Sequence, residues 1–127
     1  MLNLESLGEA IALHRAIVQA KFSELEPFDS AIPFSEPLSN LAKRNIDSII
    51  LQLAEQGEDF DAKLWSETRN LKTDWDGYEY IKQRIGAASV WSSYSDGDKV
   101  RFIEILCSPF SPSQEQLNEL LSIKNET

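Results

Sequence analysis

The chain is 127 residues long, 42% hydrophobic and 26% charged, which is the composition of one soluble globular domain spanning 1–127. Its 21 acidic and 12 basic residues leave a net charge of −9, which repels nucleic acid and anionic membranes and favours a cationic partner. The longest strongly apolar run, Ile49-Ile50-Leu51, is far too short for a membrane span, and a lone cysteine, Cys107, excludes an internal disulfide. The opening MLNLESLGEA has no basic segment ahead of its apolar residues, so no secretory signal is expected, and a cytoplasmic location is the default.

Leu4, Leu7, Ile11, Val18, Phe22 and Leu25 recur at steps of three, four or their sum. Ala10, Leu13, Ile17 and Ala20 widen the stripe, and the spacing predicts an amphipathic helix over 3–25. Pro27 ends it. Segment 26–37, EPFDSAIPFSEP, holds three of the five prolines together with Phe28, Ile32 and Phe34. It reads as an ordered loop laid across the core. Ser35 or Ser39 can cap a second helix, with Leu38, Leu41, Ala42, Ile46, Ile49, Ile50 and Leu53 facing inward. Gly57 suits the left-handed position just past its end.

Phe60, Leu64, Thr68, Leu71 and Trp75 form one side of a predicted third helix, whose early Glu58, Asp59 and Asp61 complement the helix dipole. Asp76-Gly77 marks a turn, and Tyr78, Ile81, Ile85, Ala88 and Trp91 are in register for a fourth helix. Ser95, with Asp98 three residues on, starts a fifth, lined by Val100, Ile103, Leu106 and Cys107 and stopped by Pro109. Ser111-Pro112-Ser113-Gln114 reads as a capping box for a last helix that buries Leu117, Leu120, Leu121 and Ile123. Residues 124–127 are expected to fray. Only Ser89–Tyr94 and Val100–Leu106 are rich in strand formers. The expectation is an all-α bundle of five to six amphipathic helices with short loops.

Residues 57–79 mix seven carboxylates with Phe60, Trp65, Trp75 and Tyr78. Helix-start and core roles account for part of this stretch. Trp65, Glu67, Asp74, Asp76, Tyr78 and Glu79 remain as a candidate partner-binding patch, with rings as anchors and carboxylates for a basic surface. Asp74, Asp76 and Glu79 are also a weak Ca²⁺ candidate, although neither acidic loop matches the EF-hand spacing. One histidine and one cysteine cannot make a zinc site. His14 lies on an apolar stripe and Cys107 in an apolar helix, so a thiol–imidazole dyad is disfavoured. No phosphate-cradling loop or nucleophile elbow is present, no catalytic residue or cofactor is assigned, and no basic stripe marks a nucleic acid reader.

The reading is therefore a non-catalytic acidic module that masks a basic surface, most concretely an immunity- or antitoxin-type inhibitor of a nuclease-like toxin. The alternatives are a Ca²⁺-binding regulatory protein and a scaffold or accessory subunit.

Overall fold

The computed structural model describes residues 6–22 and 31–125. The expected roles of Leu4, Leu25, Pro27 and Phe28, and the expected fraying of residues 126–127, lie outside them. Within the described residues the chain is all α: α1 (Leu7–Lys21), α2 (Glu36–Glu55), α3 (Asp59–Thr68), α4 (Asp76–Ala87), α5 (Asp96–Cys107) and α6 (Gln114–Leu121). Two 3-10 turns, Ile32–Phe34 and Trp91–Ser93, complete the order. The sole β pairing among the described residues is an isolated bridge between Asn70 and Ser111. The two segments rich in strand formers lie in the second 3-10 turn and in α5.

Local chemistry sets most helix ends. The side chains of Ser6, Ser35 and Ser95 accept the N–H of Glu9, Leu38 and Asp98, so each satisfies a donor that the helix leaves open. Gly57 has φ 77°, the left-handed region, and follows α2 as expected. There the N–H of Glu58 donates to Leu53 O and that of Gly57 to Ala54 O, which closes a Schellman motif. For α6 the cap is Ser113, two residues later than expected, with Gln116 closing the reciprocal bond. Ser111 is instead engaged with Arg69 and Leu71 through its backbone.

Two apolar clusters form the core. One gathers Ala10, Ile49, Leu53 and Ala62 between α1, α2 and α3, with Trp65 packed against it. The other gathers Phe22, Leu71, Tyr78, Ile81, Ile85, Trp91, Ile103, Leu106, Cys107 and Leu120 around α4, α5 and α6. An aromatic strip connects them. His14 meets Trp65 edge-on at 5.1 Å and Phe110 at 6.2 Å, and Phe110 meets Trp75 at 5.2 Å and Phe22 at 5.7 Å.

Three expectations are corrected. The third helix ends at Thr68, and its buried residue is Ala62 rather than Phe60 or Leu64, which are 73% and 46% exposed. Leu71 and Trp75 belong to the segment beyond that helix. The C-terminal tail is held as far as Asn125, whose amide donates to Gly86 O and Ala88 O and accepts the N–H of Ser92. Those carbonyls lie at the end of α4, where a helix leaves acceptors without an intrahelical donor; Ala88 O also accepts the N–H of Trp91, and the Asn125 amide adds a second bond to it.

Candidate functional site

The six residues of the predicted patch do not form one surface. Glu67, Asp74, Asp76 and Glu79 are exposed, Trp65 is half-buried and Tyr78 is in the core. The Tyr78 ring therefore offers no surface to a partner. Its hydroxyl donates to Glu119 Oε1 at 2.6 Å. Burial first, and then that carboxylate, push the phenol well above its ordinary pKa. Trp65 packs on α1 through His14 rather than standing clear.

Asp76 and Glu79 occupy the first turn of α4, where the helix dipole favours negative charge, and Glu79 also pairs with Lys82 at 3.1 Å. Gly77 is buried within that same turn. Its value is closeness rather than a special φ: a Cβ there would lie 2.4 Å from the Trp75 ring. Among the described residues no group of three or more acidic, His or Cys side chains is arranged to hold a metal ion. Asp74, Asp76 and Glu79 thus form no such group.

The more distinctive surface is the outer face of α3. Phe60 and Leu64 are four residues apart, and Glu67 follows three on, so they share one side of the helix. Glu58, Asp59 and Asp61 surround the start of that face, and all are exposed. Among the described residues none of Glu58, Asp59, Asp61 and Glu67 takes part in an ion pair; the pairs are Arg69–Asp47, Lys82–Glu79, Lys82–Glu119 and Arg101–Glu36. The result is an apolar pair set among carboxylates that make no ion pair, with Lys63 exposed on the same side of the helix. An apolar pair with the period of a buried stripe had suggested the opposite orientation. The signal for the observed one was Ala62 and Trp65, three apart, which seat α3 against α1 and α2.

A second feature escaped the sequence reading. Lys21 is 0% exposed. Its ammonium donates to Ser39 Oγ at 2.8 Å, Ile105 O at 2.7 Å and Ser108 O at 2.5 Å. Three acceptors meet three protons, and two of them are carbonyls at the negative end of α5. Burial nevertheless pulls the lysine down to about 7, opposed by nearby Cys107 and assisted by Lys43 and Arg84. Cys107 is itself fully buried, and that burial pushes its thiol up to about 12, away from the thiolate that nucleophilic work needs. Burial, and then Arg15, lower His14. Lys21 ties α1, α2 and α5 together, and lysine is normally read as a surface residue.

Comparison with models of known protein families, with curated proteins and with solved structures finds no match to the chain.

Proposed function

We propose that the chain is a small, non-catalytic protein-binding module that docks a basic partner on the outer face of α3. In its most concrete form it is an immunity- or antitoxin-type inhibitor that masks the substrate channel of a nuclease-like toxin. The observation that carries the reading is Phe60, 73% exposed on a helix face bordered by unpaired carboxylates. Burying such a ring on a partner is worth about 1.5–3 kcal/mol. The surrounding charge speeds and orients the encounter. The unpaired carboxylates match a cationic surface and reject an anionic one.

The test is capture on the immobilised chain at low salt, followed by calorimetry with the purified partner. A basic partner is expected, bound about ten-fold more weakly by Phe60→Ser and weakened further by salt. A nuclease activity in that partner should be suppressed on binding. Failure to retain any partner at low salt, or affinity indifferent to both salt and Phe60→Ser, overturns the reading. Salt-insensitive binding points instead to a scaffold subunit.

A further inference from the structure

A groove of about 1020 Å³ runs between the last turns of α1, the first 3-10 turn, the end of α4 and α5. It lies apart from the α3 face, and no residue of α3 lines it. Its volume is at the upper end of the range for small-molecule sites. Ala16 and Ala20, one turn apart on α1, keep one wall low because neither side chain reaches past its Cβ. Ala87 and Ala88 do the same where α4 ends.

The opposite wall is aromatic. Phe102 is its centre, with the Phe34 ring at 5.5 Å and the Tyr94 ring at 5.7 Å. Trp91 backs Phe102 from the core side at 5.7 Å. Small residues facing a rigid ring wall are what leaves space instead of a packed interface. The rim carries two of the few exposed large apolar side chains, Phe34 and Val90.

The polar content of the groove is narrow. Gln19, Arg84 and Ser89 contribute the polar side chains beside the Tyr94 hydroxyl, and no carboxylate lines it among the described residues. Arg84 is half-buried at the wall. A guanidinium has five N–H donors in a planar fork, so it can take a carboxylate from the groove side whatever it holds elsewhere.

We propose that this groove binds a monoanionic amphiphile, an alkyl or similarly apolar body ending in one carboxylate, with Arg84 as the residue that receives the carboxylate. The apolar body lies between the alanines and the Phe102 wall.

The experiment is calorimetric titration of the full chain with dodecanoate and with dodecanol, both below the concentration at which they aggregate. Saturable binding of dodecanoate is expected, about ten-fold tighter than dodecanol. Arg84→Met should remove that preference. Ala20→Trp, at an exposed helix position where a larger side chain fills the groove, should abolish binding of both while leaving the circular dichroism melt in place. The comparison of the two ligands on the unaltered protein needs no variant to fold. No saturable binding, equal binding of the acid and the alcohol, or binding that survives Ala20→Trp each overturns the proposal. An occupant such as a partner's helix would register as the first of these.

Discussion

Lys21 shows how much one side chain can decide. Its folded pKa, near 7, lies below the ordinary value of 10.5, so between these limits the unfolded chain holds more protons than the folded one. Stability from this group is therefore present at high pH and lost as pH falls toward 7. Cys107 and Tyr78 are shifted upward, and their contribution declines as pH rises past the ordinary 9.0 and 10.0 of such groups. The window between pH 7 and pH 9 belongs to Lys21. Urea unfolding should show stability rising through it by about 1 kcal/mol per pH unit, and Lys21→Met should flatten that rise. An unchanged slope in the variant would assign the effect to another group.

Gly77 makes a second residue-scale prediction, in which two effects oppose each other. Helix propensity alone favours alanine by about 1 kcal/mol. The added methyl, however, meets the rigid Trp75 ring at 2.4 Å, and that ring also packs on Phe22 at 4.9 Å. Overpacking of this kind costs about 1–3 kcal/mol. Gly77→Ala is therefore expected to destabilise in chemical denaturation, with the sign as the readout.

At the scale of elements, α3 and α6 make a useful contrast. The α6 start was legible as Ser/Gln capping chemistry around 111–114, but the motif has two possible frames. Gln116 settles the choice because its amide also donates to Leu71 O and Thr73 Oγ1, both at 2.9 Å, and so ties α6 to the chain ahead of α4. Ser113→Ala should cost about 1 kcal/mol in equilibrium unfolding, while Ser111→Ala should cost much less. For α3, ten residues offer two apolar lines at helical spacing, Phe60–Leu64 and Ala62–Trp65. Periodicity cannot rank them, and the larger side chains suggested the wrong one. The choice falls to α1 and α2, which leave room for an alanine and set the His14 ring nearly perpendicular to that of Trp65. Phe60→Ser should therefore change stability by less than about 0.5 kcal/mol, which separates any loss of binding from loss of fold.

For the whole molecule, the net charge of −9 acts on folding and binding in opposite senses. Screening relieves repulsion among exposed carboxylates within the folded chain, so added salt should raise the melting temperature in scanning calorimetry. The same salt should weaken the proposed basic partner's hold. A melting temperature that falls with salt would mean that the few surface ion pairs outweigh the repulsion.

The all-α class, the order of helices and the left-handed glycine after α2 were all readable from the chain. They depend on local terms: apolar residues at helical spacing, serine caps, and proline and glycine breaks. No helix among the described residues is long and apolar enough to cross a membrane, in line with the absence of any long apolar run. The seating of α3, the burial of Tyr78 and Lys21, the anchoring of Asn125 and the groove beside Arg84 were decided only by the tertiary structure. Each depends on partners 18 or more residues away along the chain or on the shape left between helices, and no local pattern encodes which face will find a neighbour.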